Sequence, residues 1–165
     1  MMIDLRTNEI VIVEGLKEYL TTDTRPCEVV RQNQVAEVPP YPYVSYTVTT
    51  PVAQKQGTYC EAEDGTLYMD ATQTWSFTVQ SDDPDEAMNL ALRMFAYFTA
   101  VGLTPLADKN ITVRRVTGIT TRDNLLTIQY EHRNGLDVTF GLLYAITPDD
   151  QINKDVIETI HLKEE

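Results

Sequence analysis

Arg31-Gln32-Asn33-Gln34-Val35-Ala36-Glu37-Val38-Pro39-Pro40-Tyr41-Pro42-Tyr43-Val44-Ser45-Tyr46 is the stretch whose reading decides the fold. A polar amide cluster, Gln32, Asn33 and Gln34, runs into a proline spacer. Pro39, Pro40 and Pro42 fix φ and remove three backbone donors. Such a spacer is extended, polyproline-like and confined to a surface or a sheet edge. Directly after it, Val44, Tyr46 and Val48 alternate with Ser45, Thr47 and Thr49, the period of a half-buried strand. No catalytic motif has this form. The stretch reads as an architectural lead into a sheet and points to an assembly protein.

Upstream, Ile10, Val13, Leu16 and Leu20 recur at helical spacing, so 7–20 is expected to be a helix with Thr7 or Asn8 as its cap. Pro26 ends that region, and 27–31 is expected as a short strand. Downstream, the strand opened by Tyr43 is expected to stop at Pro51, leaving 51–65 as a polar, irregular loop. A long strand follows over 66–80, with Leu67, Met69, Ala71, Gln73, Trp75, Phe77 and Val79 on one face. Asp83, Pro84 and Glu86 then carry the signs of a helix start, and four early carboxylates suit the positive end of its dipole. Gly102 is the expected stop.

This second helix is apolar on two stripes: Met88, Ala91, Leu92, Phe95 and Phe98, and Ala87, Leu90, Met94, Tyr97 and Val101. A helix lying on one sheet needs a single stripe, so either more of the same chain or a neighbouring subunit is expected to cover the second, the small chain favouring a subunit. In the last third, 111–119 reads as a strand with Val113 and Arg115 opposing Arg114 and Val116. Strands over 125–133 and 136–147 flank Asn134-Gly135, a hairpin signal. Pro148-Asp149-Asp150 reads as a turn and 155–162 as a last strand.

The chain has 165 residues, 42% of them hydrophobic, enough for one domain over 1–165. Its formal net charge of −12 speaks against gripping nucleic acid through phosphates. The start of the chain has no basic segment followed by an apolar run, so no signal peptide is expected. Two cysteines, Cys27 and Cys60, are too few for a disulfide framework and read as free thiols. His132 and His161 have no metal-ligand spacing, and a Cys60–His132 or Cys27–His161 pair has no local support. No phosphate loop or nucleophile elbow is present, so neither cofactor nor metal is expected. Glu61, Glu63, Asp64 and Asp70 beside Gly65 form an acidic patch that reads as a solvated loop. Arg114, Arg115, Arg122 and Arg133 leave two readings open: a basic strip for an acidic partner, or scattered surface ion pairs.

The order of these features resembles the bacteriophage neck or tail terminator proteins, also called head–tail joining or tail-completion proteins. The matching residues are Gln32-Asn33, Pro42-Tyr43-Val44-Ser45-Tyr46, Asp137-Val138-Thr139-Phe140, Tyr144, and Val156-Ile157-Glu158-Thr159-Ile160. The loop 51–65 and the region of Asn124 carry none of the resemblance. It implies a non-enzymatic α+β fold: a mostly antiparallel twisted sheet with two helices packed on it. It further implies a homo-hexameric ring in the virion neck, with the tail tube protein and the head-side connector or stopper as partners and DNA passing through. On this footing Gln32, Asn33, Gln34, Pro39, Pro40, Tyr41, Tyr43, Met94, Tyr97 and Val101 are candidate subunit or partner contacts. Glu61, Glu63 and Asp64 are a candidate acidic wall of the lumen. The proline stretch is either a rigid arm at such a contact or a stiff crossover within one subunit. Competing readings are another virion ring or tube component, a small α+β enzyme, and a peptide-binding module.

Overall fold

A computed structural model describes residues 5–32, 37–126 and 129–147. In chain order the elements are α1 (Leu5–Leu20), β1 (Glu28–Arg31), β2 (Tyr43–Glu61), β3 (Leu67–Ser81), α2 (Pro84–Ala96), a π-helical turn (Tyr97–Val101), α3 (Leu103–Ala107), β4 (Ile111–Val116), β5 (Thr120–Thr121), β6 (Asn124–Leu126) and β7 (Gln129–Ile146). They form one α+β unit. The sheet runs β1-β2-β3-β7-β4, and β5 and β6 continue along β7 beyond β4. All pairings are antiparallel except β1 with β2.

β3 sits at the centre because its alternation is unbroken. Ala71, Gln73, Trp75, Phe77 and Val79 are buried on the face under the helices, with Thr72, Thr74, Ser76 and Thr78 half-buried on the other. Leu136, Val138 and Phe140 of β7 extend that apolar face, which Ile12, Leu16 and Leu20 of α1 and Ala91, Met94 and Phe98 cover. Phe98 is the keystone. Its ring centroid lies 5.0 Å from Phe77 and 5.8 Å from Phe140, distances at which aromatic pairs add to simple burial.

The start of α2 follows its sequence signs. Asp83 accepts from the N–H groups of Asp85 (2.8 Å) and Glu86 (3.3 Å), and Pro84 opens the helix. The reciprocal half of the capping box runs through Ser81: Asp83 N–H donates to Ser81 Oγ, which donates to Glu86. Arg93 ties this helix to α1 by donating to the carbonyls of Tyr19 (2.7 Å) and Leu20 (3.3 Å). Those carbonyls belong to the last turn of α1, which has no donors of its own to offer them.

Several sequence expectations are corrected. Pro51 does not end β2; the strand runs on to Glu61 with three register shifts. Among the described residues β1 pairs only with Tyr43–Tyr46, so Pro51 lies on an open edge, inside the irregularity between Thr50 and Ala53, where a missing N–H breaks no ladder. Asn134-Gly135 is no turn. Both residues lie inside β7, opposite Val79 and Thr78. Gly135 serves close approach: a Cβ there would stand 2.7 Å from the Phe77 carbonyl and 2.8 Å from the Arg122 guanidinium.

Gly102 does end the helical run, as the residue after the π-helical turn, but at a φ of −81° it is no left-handed cap, and α3 follows at once. The glycine is required by Tyr97, whose ring a Cβ would meet at 2.7 Å. Three α-helices are described where two were expected. Finally, a bulge between Val113 and Arg115 overturns the expected parity of β4. Val113 and Val116 both pair with core-face residues of β7, Phe140 and Val138, while Arg115 pairs with outward-facing Thr139. The turn at 148–150 and the strand at 155–162 lie outside the described residues.

Candidate functional site

The proline stretch folds back over the outer face of the sheet, opposite the helices. Glu37, Val38 and Pro39 roof a cleft of about 220 Å³ whose floor is Tyr43, Ser45, Gln80 and Arg133. Pro42 and Tyr43 are buried, Tyr41 stacks on Tyr43 (5.8 Å), and the Tyr41 hydroxyl donates to Glu131 at 2.8 Å. Glu131 is itself buried and paired with Arg133. Burial, then the Glu131 carboxylate, pushes the Tyr41 hydroxyl up to about 12. Of the two readings left open above, this geometry supports a crossover fastened to its own subunit from Tyr41 onward. Val38, at 69% exposed, and Pro40 remain outside. Gln32 is exposed and donates its N–H to the Tyr46 carbonyl. Asn33 and Gln34 lie outside the described residues.

On the helical side, Met94 and Tyr97 are buried within the subunit, at 0% and 4% exposure. Tyr97 occupies a slot between Gly15 and Gly102, against Tyr19 at 5.3 Å. Their stripe therefore serves the core, and only Val101 from it reaches solvent. Met88 and Leu92 stay exposed on the other stripe.

Two charged surfaces complete the picture. The β2–β3 hairpin extends beyond the helices and ends in the turn Ala62–Gly65, closed by Gly65 N–H on the Ala62 carbonyl (2.9 Å), with Gly65 at φ 79°. Glu61, Glu63 and Asp64 are exposed at its tip. The Thr66 N–H on Asp64 (2.9 Å) holds that carboxyl below the usual range. Exposed Tyr59 and Tyr68 stand behind them.

Across the sheet, the four arginines fall in one row on the outer face along β7. Arg133 lies near Tyr41, Arg122 over Gly135, Arg115 beside Thr139, and Arg114 against Gly141. Arg122 binds Asp137 (3.1 Å), Ser76 (2.8 Å) and Thr78 (3.0 Å). The sequence left a basic strip as one of two readings and could not choose, because the bulge that turns Arg114 and Arg115 to one face leaves no local mark.

Cys60 lies opposite Tyr68 at one end of β3 and His132 opposite Ser81 at the other, so they do not form a nucleophile pair. His161 lies outside the described residues. Among the described residues no group of three His, Cys, Asp or Glu side chains could hold a metal ion, and no helix is long and apolar enough to cross a membrane.

The sequence profile of the phage neck terminator protein family matches residues 11–165. This chain belongs to the phage neck terminator protein family. The match spans the second half of α1 and every later element, including hairpin and arginine row. Membership assigns a structural role in the phage neck, in the virion, among head and tail proteins. No curated protein matches the chain.

Proposed function

We propose that this neck terminator assembles as a homo-hexameric ring at the head–tail interface. The ring caps the tail tube, ends its polymerisation and joins it to the head-side connector or stopper. Assembly takes place in the host bacterial cytoplasm, and DNA passes through the finished ring without specific binding. The family match over 11–165 carries this reading. The open edges of a five-strand sheet path support it, since β2 beyond Tyr46 and the far side of β4 have no strand partner among the described residues. Head-to-tail packing through two different edges closes a ring when the rotation fits. A net charge of −12 favours sliding of DNA over sticking.

The test is to mix purified protein with tail tubes and image the product. Rings at tube ends are expected. Copolymerisation along the tube, or a protein that remains monomeric at all concentrations, would overturn the reading.

A further inference from the structure

We propose that the β2–β3 hairpin of one copy, with its acidic tip and exposed tyrosines, packs on Arg114 and Arg115 at the outer face of the next copy. The inference rests on the ring reading above and names the contact that would hold it.

Charge separates the two surfaces. Between Lys109 and Arg122 the sequence has four cations and no carboxylate, in a chain of net charge −12. Within the subunit, Arg122 and Arg133 are already neutralised, by Asp137 and Glu131. Arg114 and Arg115 are different. Arg114 has only Asp70, at 3.9 Å, and Arg115 has no carboxylate at ion-pair distance among the described residues. The β4 bulge sends both guanidinium groups to the same outward face. Conversely, Glu61, Glu63 and Asp64 are exposed and have no cation at ion-pair distance among the described residues.

Topology decides that the partner is a second copy in a head-to-tail arrangement. The sheet order puts the hairpin on the β2 side and the arginines on the β4 side. Within one subunit Arg114 reaches across β7 only to Asp70 near the base of the hairpin, and among the described residues no carboxylate of the tip is at ion-pair distance from either arginine; a neighbour set side by side presents its tip there. The hairpin also has apolar surface to bury. Tyr59 is 60% and Tyr68 37% exposed, on opposite faces of the ribbon. Tyrosine and arginine are both enriched in interface cores, and arginine stacks on aromatic faces. The contact gives Glu61, Glu63 and Asp64 a role between subunits in place of the lumen wall.

The experiment is a charge swap read by light scattering and negative-stain imaging. Arg114→Glu with Arg115→Glu, or Glu61→Lys with Glu63→Lys and Asp64→Lys, is expected to raise the subunit dissociation constant by about tenfold or more, because like charges face each other. Combining both sets in one chain is expected to restore rings. Thermal melts matching the wild type will show that the variants fold. Wild-type rings that persist in both single reversals, or a combined variant that stays dissociated, overturn the contact and leave the ring reading standing. A wild type that never assembles overturns both. If the arginine reversal spares rings but abolishes binding of a labelled duplex DNA, the row serves nucleic acid and the contact falls. If it dissolves rings while the hairpin reversal does not, another acidic segment is the occupant and the contact falls as well.

Discussion

The two ends of β3 follow one alternation and have opposite fates. From Ala71 to Ser81 the inward residues are fully buried; from Leu67 to Asp70 inward residues are half-buried and outward ones exposed. Leu67 and Met69 continue the parity of Trp75 and Phe77, so the strand itself does not change. What changes is the layer above it. Among the described residues, helices cover one end and leave the other uncovered. Period two reports which face a residue takes, but burial needs a second layer. Stability is therefore concentrated under the helices, while the hairpin end is, among the described residues, the more exposed of the two.

The largest effect is expected where that covering layer meets the sheet. Phe98→Ala empties the space between Phe77, Phe140 and Tyr97, and should cost about 3–5 kcal/mol. Urea unfolding measures it. A companion change at the bare end, Tyr59→Ser, should stay within about 0.5 kcal/mol by the same assay. Equal losses at both sites would erase the distinction between the ends.

Next comes the slot that holds Tyr97. Alanine at Gly102 suits its helical φ of −81° and would gain helix propensity of up to about 1 kcal/mol. Its Cβ, however, would stand 2.7 Å from a ring fixed by Gly15, Tyr19 and Phe98. Overpacking of this kind costs about 1–3 kcal/mol and should win. A thermal melt that rises in Gly102→Ala would show that the ring can move and the slot is loose.

These residues also show what a sequence can reveal. The alternation of β3 and the cap at Asp83 were legible because each is a local pattern with a local cause. Pro51 and Asn134-Gly135 misled because they are punctuation only where the surroundings leave them so. Pro51 sits on an edge with no ladder to break, and Gly135 answers a close approach from Arg122, as Gly102 does from Tyr97. Met94 and Tyr97 were read as contacts because a doubly apolar helix looks over-supplied, yet the π-helical turn and α3 bring more of the chain against α1 and β4. The order of motifs carried the family resemblance, while the arginine row depended on a one-residue bulge that alternation does not record.

A smaller effect separates the crossover from both ends of β3. Tyr41→Phe removes one hydrogen bond to Glu131 and should cost about 1 kcal/mol. The Tyr41 hydroxyl is raised in the fold from 10.0 to about 12. Its contribution is thus fully present below about pH 10 and is lost as the pH climbs toward about 12, because the unfolded chain ionises first. The gap between wild type and Tyr41→Phe in urea midpoint should be full near pH 8 and shrink in that alkaline window. A gap that does not change with pH would detach the hydroxyl from the docking of the crossover.

The smallest perturbation uses the two thiols as reporters on the two environments. Cys60 is exposed on the hairpin, and Cys27 is buried just before β1, near the end of α1 and α2. Desolvation, then the Glu28 carboxylate, pushes the Cys27 thiol up to about 11 from 9.0. The thiolate is the nucleophile, so at about pH 8 Cys27 lacks both access and the reactive form. A disulfide reagent should modify one thiol promptly, at Cys60, and the second only at the rate of unfolding. Capping Cys60 should shift stability by no more than about 0.5 kcal/mol. In the assembled ring, the proposed contact predicts one thing more: Cys60, which lies opposite Tyr68 on the same ribbon, should react more slowly than in the dissociated Arg114→Glu, Arg115→Glu variant. Equal rates in the two states would place the hairpin outside the interface.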